Sequence, residues 1–203
     1  IDDFVNKGRC DFIDDFAAKL PTGTFLHLMG LPEDRLAEFL AIANVFFRST
    51  DNDERARNAA QIYEILNAMY EEKRIRPGSD IATHILQARD DAGELLPYQD
   101  KLDCAFLLFV AGLDTVTNTM AYIWRYLATT PAARAYLSER LDDQDAMLRA
   151  IEELLRINSV SNLFRRVVRD IDYKGVFMKR NDRVIMPNTL ANRDPRVFEH
   201  PDM

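Results

Sequence analysis

The chain has 203 residues, of which 47% are hydrophobic and 29% are charged, so it can bury a core and still present a charged surface. Its net charge of -7 and its pI of about 5.0 argue against a nucleic-acid partner, because nucleic acids bind to basic faces. The two cysteines and three histidines are widely spaced, so they predict neither a disulfide scaffold nor a zinc site and favour a reducing, cytoplasmic compartment.

Helical periodicity dominates the first three quarters of the chain. The predicted helices, in chain order, cover residues 9–20, 32–47, 55–74, 80–90, 97–130, 131–141 and 145–157. The hydrophobic period then changes, and the predicted strands are 165–170, 171–178 and 182–187, with a turn at 179–182. The predicted fold class is mainly α: a single partial domain over residues 1–203, helical over 1–158, with a small β region at about 165–187 near the C-terminus.

The middle of the predicted helix 97–130 combines residues that rarely occur together in an apolar helix. Asp114 is the only charged residue in the run from Cys104 to Trp124, and it lies next to Thr115 and two positions after Gly112. A buried carboxylate is costly unless it is paired, solvated or functional. The first interpretation is therefore structural, with an acid that is capped or bonded to water in a polar seam between helices.

The second interpretation is a ligand-binding groove on this helix. The Thr115 hydroxyl can bond the carbonyl four residues back, on Ala111, and such bonds bend helices. Gly112 has no side chain, so another group can approach the backbone there. A flat ligand in the groove would have an acid and an alcohol beside it for proton transfer. The groove is predicted to be lined by Leu107, Val110, Ala111, Asp114 and Asn118, with Thr115 adjacent.

The apolar run is predicted to be a buried helix of a soluble protein and not a membrane span. Asp103, Asp114 and Arg125 interrupt it, and a carboxylate at the centre of a bilayer costs roughly 2.5–3.5 kcal/mol. The first residues of the chain are charged and helix-like, so they do not predict a secretory signal. Cys10 and Cys104 are predicted to be small apolar residues of the core.

Four short motifs occur in an order that resembles one protein family. They are AGLDT at 111–115, EELLR at 152–156, RRVVRD at 165–170 and ANRDPRVFEHPD at 191–202. Together they resemble the cytochrome P-450 superfamily of haem-thiolate monooxygenases. The stretches FLHLMGLPEDRL and RPGSDIATHIL are similar to soluble bacterial members of the camphor-hydroxylating type. The resemblance extends over essentially the whole chain and implies a cytochrome P-450-like helical fold.

The resemblance implies roles for the residues around the central motif. Asp114 and Thr115 would be catalytic and would guide protons to oxygen. The cofactor would be haem b (iron protoporphyrin IX), and a guanidinium group suits a haem propionate well. The residues implied to bind the haem are Ala111, Gly112 and Arg165.

The resemblance implies further roles elsewhere in the chain. Glu153 and Arg156 are three residues apart and share one helix face. An exposed pair of this kind contributes only about 0.3 kcal/mol, but in the family the pair is buried and locks its helix to a later arginine. The residues implied to border the substrate are Leu107, Val110, Ser161 and Leu163.

The chain is expected to be incomplete at both ends. The family's glycine-rich loop, which carries the cysteine ligand of the haem iron, is expected beyond Met203, so no metal ligand is assigned within the chain. An intact member would take electrons from NAD(P)H through a ferredoxin reductase and a ferredoxin. It would hydroxylate a small apolar substrate, such as a terpenoid, with O2 in the cytoplasm and without a membrane partner. The 203-residue chain alone is not expected to bind haem in the active manner.

Two other functions fit the same sequence. A haem-free or degenerate relative would use the groove as a hydrophobic-ligand-binding or interaction module. The reading frame beyond Met203 distinguishes this relative from the enzyme, since a cysteine loop there favours the enzyme. An all-helical interaction protein with chance motifs would show exposed apolar stripes or sustained heptads, and the sequence contains no sustained heptads.

Overall fold

The computed structural model describes residues 1–202 and shows two compact units, Ile1–Asn118 and Thr119–Met203. The α-helices are α1 (Asp2–Val5), α2 (Lys19–Met29), α3 (Leu36–Arg48), α4 (Asn52–Ile75), α5 (Ile81–Leu86), α6 (Tyr98–Thr129), α7 (Pro131–Ser138), α8 (Gln144–Ile157) and α9 (Asn188–Ala191). A π-helix covers Ile13–Ala17 and a 3-10 helix covers Glu33–Arg35. The strands are β1 (Asn162–Arg166), β2 (Ile171–Tyr173), β3 (Val176–Met178) and β4 (Arg183–Pro187). The mainly α fold class predicted from the sequence is confirmed.

Helix boundaries follow local capping signals, which is why most of them agree with the predicted ones. Asp51, Asp80 and Asp143 each precede a helix, and their side chains accept hydrogen bonds from backbone N–H groups of its first turn. Gly30 ends α2 with a φ of 63°, a left-handed conformation that glycine adopts without steric cost. Pro131 occupies the first turn of α7, where its missing N–H removes no helical hydrogen bond.

Two predicted helices differ clearly from the observed ones, and most of α2 (Lys19–Met29) was not predicted. In place of a helix at 9–20, a π-helix occupies Ile13–Ala17. The Asp11 carboxylate accepts from the backbone N–H groups two and three residues later, which starts the helical segment at that point. The helix predicted at 80–90 is shorter, Ile81–Leu86, because the residues after it form a loop closed by an isolated backbone bridge.

The β region forms two separate antiparallel pairs in the second unit, β1 with β4 and β2 with β3. The strand predicted at 165–170 is wrong in position, since the observed strand is Asn162–Arg166. The segment 171–178, predicted as one strand, is the β2–β3 hairpin. Lys174 and Gly175 at its tip both have positive φ, as the tight two-residue turn of a hairpin requires.

The core of the first unit is built by α2, α3, α4 and α6. At its centre, the ring centroids of Phe25, Phe39 and Phe109 are 5.5, 5.9 and 5.9 Å apart. Aromatic pairs at such separations contribute roughly 0.5–1.5 kcal/mol beyond their buried area, so this cluster fixes one face of α6 against the other helices. The surrounding buried residues include Leu26, Met29, Ile42, Ile62, Leu66, Met69, Ala105 and Leu113.

A nearly buried ion pair joins three segments of the first unit. Lys73 Nζ lies 2.6 Å from the Asp80 carboxylate and donates to the Gly30 carbonyl oxygen at 3.1 Å. The Asp80 carboxylate also accepts from the Thr83 N–H at the start of α5. Burial alone would raise the pKa of Asp80, but the hydrogen bonds from Lys73 and Thr83 outweigh burial and hold that pKa below its usual value.

Lys73→Met is expected to lower the free energy of unfolding by about 3 kcal/mol, since it leaves the Asp80 carboxylate buried with no cation. Because the folded-state pKa of Asp80 is lowered, the stabilisation is present above the unfolded pKa of about 3.9 and is lost as the pH falls through the folded value. Urea unfolding of the full-length protein should therefore show a difference between variant and wild type that shrinks on acidification. The matched control is Arg74→Met, which removes an exposed partner of Glu71 on the same helix. Equal losses from both changes would contradict this account.

The long helix α6 spans both units, and by length and composition alone it could cross a membrane. It is the one helix within residues 1–202 that meets this criterion, and 22% of its most apolar 18-residue window is buried. The core helix of a soluble protein can have the same length and composition as a membrane-spanning helix. That α6 belongs to a protein without a membrane partner therefore stays a prediction. The predicted burial of α6 applies to one face, which packs into the first unit through Ala105, Phe109 and Leu113.

Both cysteines are free and exposed, which corrects the prediction that they belong to the core. Cys104 lies one turn before Leu107 on an exposed face of α6, and Cys10 lies in a non-helical segment before the π-helix. Burial was predicted from residue type, because free cysteine is among the most buried residues, whereas the helical phase of Cys104 places it away from the core.

Candidate functional site

The middle of α6 presents residues to four different surroundings because successive side chains point about 100° apart around the helix. The buried face consists of Leu102, Ala105, Phe109, Leu113 and Thr117. An exposed stripe consists of Cys104, Leu107, Ala111 and Thr115. Between these two, one flank carries Leu108, Gly112 and Val116, and the opposite flank carries Asp114.

Asp114 lines a cavity of about 550 Å³ in the first unit. Its carboxylate accepts a hydrogen bond from Asn118 Nδ2 at 2.8 Å, one turn further along α6. Asn44 and Arg48, near the end of α3, also line this cavity and are exposed, so the cavity opens to solvent. The other polar residues lining it are Asp11, Asp14, Thr22 and Thr117. A polar cavity of this size has room for water. Asp114 therefore lies in a polar seam between helices, which is the first of the two interpretations given above.

Thr117 joins α6 to the π-helix beside this cavity. Its hydroxyl is buried and lies 2.9 Å from the Leu113 carbonyl oxygen and 3.2 Å from that of Ala17. Because helix ends leave carbonyl groups without intrahelical partners, this contact gives the last residue of the π-helix a donor. Sequence reasoning missed Thr117, Asn44 and Arg48. No local pattern could have found them, since only tertiary packing brings them to Asp114.

Thr115 belongs to the exposed stripe and faces away from the Asp114 cavity. Its hydroxyl donates to the Ala111 carbonyl oxygen at 2.6 Å, which confirms the predicted bond to the residue four positions back. Ala111 is exposed, and a Cβ added at Gly112 would meet nothing within 4 Å. Around Ala111 and Thr115 the stripe is therefore an open surface of short side chains on which a flat group can lie.

The single groove predicted on α6 is corrected by the structure. Leu107 is 62% exposed on the stripe, and Val110 packs partly against the core. Asp114 instead lines the cavity described above, to which Leu107, Val110 and Ala111 do not contribute. The prediction placed all these residues in one groove because they share one broad side of the helix, but α3 and the π-helix cover part of that side.

In the second unit, Glu153 and Arg156 form a two-point ion pair on α8. Arg156 Nε and Nη2 donate to the two carboxylate oxygens of Glu153 at 2.8 and 2.6 Å. Arg156 Nη1 donates to the backbone oxygens of Asn192 at 2.6 Å and Pro201 at 2.8 Å, and its guanidinium lies 4.8 Å from the ring centroid of Phe198. The Arg156 side chain is 10% exposed, and its hydrogen bonds lower the pKa of the Glu153 carboxyl. The pair thus fastens α8 to residues 192–201.

Residues 192 and 193 make further contacts with the end of α8. Arg193 Nη2 donates to the carbonyl oxygen of Ile157, the last residue of α8, at 3.1 Å. The Asn192 side chain donates to the Arg156 carbonyl at 3.3 Å. Residues 192–193 therefore bond carbonyl groups in the last turn of α8, which have no partners within the helix.

Ser161, Leu163 and Arg165 lie on one face of the β1 segment, because side chains alternate along an extended chain. All three are exposed. Arg165 Nη1 donates to the carbonyl oxygen of the preceding Phe164 at 2.9 Å, and the guanidinium pairs with no carboxylate of residues 1–202. The predicted substrate and propionate residues of this region therefore share a face, in a different unit from Asp114 and Thr115.

The comparison with known families agrees with the motifs and with the fold. A sequence model of the family described as "Cytochrome P450" matches residues 33–203. The chain belongs to the cytochrome P450 family. Among bacterial P450 proteins it is 29% identical to the polyketide biosynthesis cytochrome P450 PksS of Bacillus subtilis, and 30% identical to cytochrome P450 107B1 of Saccharopolyspora erythraea. These alignments cover 100% of this chain in both cases, and 50% and 49% of the two relatives.

Solved P450 structures have the same fold over the whole chain. The structure of PksS superposes with a TM-score of 0.90 at 26% identity, and CYP101J2 with 0.86 at 28% identity. Each covers 100% of this chain, but the matched part is 52% of the PksS chain and 49% of the CYP101J2 chain. The chain thus spans about half the length of the P450 proteins that it matches.

The residues present fit the haem group that the P450 family implies. Haem is flat and mostly apolar and carries two propionates. Within the first unit, the stripe offers the short side chains of Ala111 and Thr115 beside the open space at Gly112. Within the second unit, Arg165 has a guanidinium without a carboxylate partner among the described residues. No group of three or more His, Cys, Asp or Glu side chains that could hold a metal ion occurs within residues 1–202.

Proposed function

We propose that the chain is the oxygen-handling part of a haem-dependent monooxygenase, in which Asp114 and Thr115 carry protons across α6. The observation that carries this proposal is the placement of two neighbouring polar residues on different sides of one helix. Asp114 lines a cavity open to solvent, whereas Thr115 lies on the exposed stripe of short side chains. Membership of the P450 family supports a monooxygenase, since intact P450 relatives carry names such as mycinamicin IV hydroxylase/epoxidase.

Some residues of this chain supply protons, and others bind the haem. In the cavity, the Asp114 carboxylate exchanges protons with solvent water, and Asn118 Nδ2 holds it in one orientation. The Thr115 hydroxyl already donates a hydrogen bond to the Ala111 carbonyl oxygen. Its lone pairs are therefore free to accept a hydrogen bond from a water on the stripe. Ala111, Gly112 and Arg165 would hold haem b. When bound, the haem supplies the activation of O2.

The substrate proposed for this site is a small apolar molecule, and terpenoids are the first class to screen. Relatives carry names as different as vitamin D(3) 25-hydroxylase and 6-deoxyerythronolide B hydroxylase, so the substrate has to be identified on this protein itself. NAD(P)H would supply electrons through a ferredoxin reductase and a ferredoxin, and the two free cysteines suit a reducing cytoplasm. The residues proposed to border the substrate are Leu107, Val110, Ser161 and Leu163.

Asp114→Asn in the full-length protein is expected to lower kcat by about 10²-fold, because an amide cannot relay protons while it keeps the shape of the carboxyl group. Turnover of the variant should also become more sensitive to replacing H2O by D2O, since proton delivery becomes slower than the other steps. Stopped-flow and steady-state NAD(P)H oxidation in both solvents measure this.

The matched control for that experiment is Asp103→Asn, which changes another acid on α6 that accepts side-chain hydrogen bonds from Tyr63 and Gln99. It should leave kcat and the solvent isotope effect unchanged. A kcat for Asp114→Asn equal to that of wild type would remove the acid from the mechanism. A full-length wild-type protein that took up no haem would instead favour the haem-free ligand-binding alternative.

A further inference from the structure

The π-helix Ile13–Ala17 forms one wall of the Asp114 cavity. Ile13 and Asp14 of this helix line the cavity, together with Asp11 just before it. The Asp11 carboxylate fixes the start of the π-helix, because it accepts from two backbone N–H groups there. Short π-helical turns are rare and frequently lie at functional sites. The contacts that hold the other end of this turn therefore bear on the shape of the cavity.

The backbone at the end of the π-helix lacks an ordinary helical partner. In an α-helix the Ala17 carbonyl would accept a hydrogen bond from the N–H four residues later. The residue at that position is Pro21, which has no N–H to donate. Ala17 has 0% of its surface exposed, so bulk water does not reach its carbonyl oxygen. A buried carbonyl without a donor is costly, and a donor from elsewhere in the fold is needed.

That donor comes from α6, 100 residues further along the chain. Thr117 Oγ1 lies 3.2 Å from the Ala17 carbonyl oxygen and 2.9 Å from that of Leu113, so the hydroxyl proton is shared between the two helices. Thr117 is buried and lines the same cavity as Asp114, three positions before it on α6. The Thr117 hydroxyl therefore fastens the π-helix wall to the helix that carries the acid.

We propose that Thr117 is a positioning residue for the supply of protons to Asp114. By bonding the Ala17 carbonyl, Thr117 keeps the π-helix in place, so that water in the cavity of about 550 Å³ is held beside the carboxylate. Asn118 orients that carboxylate directly, whereas Thr117 acts through the opposite wall. This inference rests on the proton-relay role proposed above for Asp114.

Thr117→Val in the full-length protein keeps the shape of the side chain and removes the hydroxyl. Exchange of the backbone amide hydrogens of residues 13–18, followed by mass spectrometry, should become about tenfold faster because the Ala17 carbonyl loses its donor. Product formation should slow by about tenfold, less than in Asp114→Asn because the acid itself remains. The solvent isotope effect on turnover should rise, as in Asp114→Asn. Thr117→Ser keeps the hydroxyl and should restore wild-type behaviour in all three measurements.

The matched control is Thr83→Val, since Thr83 is a buried threonine outside the cavity whose hydroxyl accepts from the Gly78 N–H at 3.0 Å. It should change neither the exchange of residues 13–18 nor the isotope effect. The inference is overturned if Thr117→Val leaves either quantity at its wild-type value while Asp114→Asn slows turnover. Wild-type turnover in Asp114→Asn would instead overturn the proton-relay role, and this inference with it.

Pro21→Ala provides a second background, because it supplies a backbone N–H four residues after Ala17. The carbonyl then has a donor of its own, so adding Thr117→Val should change amide exchange and turnover by less than about twofold. If Thr117→Val alone does not fold, this pair of variants decides. A loss in the Pro21→Ala background of about tenfold or more, or a double variant that does not fold, would mean that Thr117 acts through another contact and would overturn the inference.

Discussion

Thr115→Ala in the full-length protein is expected to keep NAD(P)H consumption close to that of wild type while product per NAD(P)H falls at least about tenfold, a modest part of what a positioned proton-transfer group contributes. The lost reducing equivalents should appear as hydrogen peroxide. The physical reason is that Thr115 supplies the hydroxyl of the exposed stripe and can hold a water there. Removing it leaves electron delivery intact but removes the group that positions the proton donor.

The matched control is Thr129→Ala, because Thr129 is also an exposed threonine of α6 whose hydroxyl bonds the carbonyl four residues back, on Arg125. It should leave both product yield and peroxide unchanged. Thr115→Ser retains the hydroxyl and should recover most of the yield. Equal product per NAD(P)H in Thr115→Ala and wild type would remove Thr115 from the mechanism.

Arg156→Ala is expected to lower the free energy of unfolding by about 3 kcal/mol. This value is at the low end of the range for broken buried ion pairs, because the Glu153 side chain is half exposed. The substitution removes donors from the backbone oxygens of Asn192 and Pro201 and leaves the Glu153 carboxylate without its cation. Since these bonds hold α8 to residues 192–201, the yield of haem-containing full-length protein should fall with stability. Urea unfolding and the haem-to-protein absorbance ratio measure the two effects.

Arg149→Ala is the control for this prediction, since Arg149 is an exposed arginine on the same helix. It should change the free energy of unfolding by less than about 0.5 kcal/mol. Arg156→Lys should lie between the two, because an ammonium group keeps the charge but cannot reproduce the two-point pairing. If the alanine substitutions at 149 and 156 lowered the free energy of unfolding by equally small amounts, the ion pair would be a surface contact that contributes little to stability.

The parts of the fold that sequence reasoning predicted well are those that depend on neighbouring residues. The helix that follows Asp143 was located to within a residue, because its N-cap side chain bonds the backbone of its first turn. The helix ends at Gly30 and Pro131 were also predicted, because each depends on the backbone conformation of a single residue. The β2–β3 hairpin was missed because its turn residues, Lys174 and Gly175, were read as part of one strand, although a glycine at such a position permits a tight turn.

Sequence reasoning singled out the central pair of the candidate site, whose roles stay a prediction, but it did not predict the surroundings of that pair. The AGLDT motif located Asp114 and Thr115, and the helical repeat placed Thr115 one turn after Ala111, where its hydroxyl bonds the carbonyl. The cavity beside Asp114 could not be predicted, because Arg48 is more than sixty residues away in the sequence and reaches it only through the packing of α3. The exposure of Cys104 was missed for a related reason, since residue type predicts burial only on average.

The central claim, that the stripe of α6 carrying Thr115 faces the haem and the oxygen site, is tested most directly by the carbon monoxide complex of the reduced full-length protein. Its difference spectrum should show a thiolate-type Soret band, and its infrared C–O stretching frequency should shift between wild type and Thr115→Val, because the hydroxyl and any water that it holds are replaced by a methyl group of similar size. An identical frequency in the two proteins, or a protein that takes up no haem, would contradict the claim.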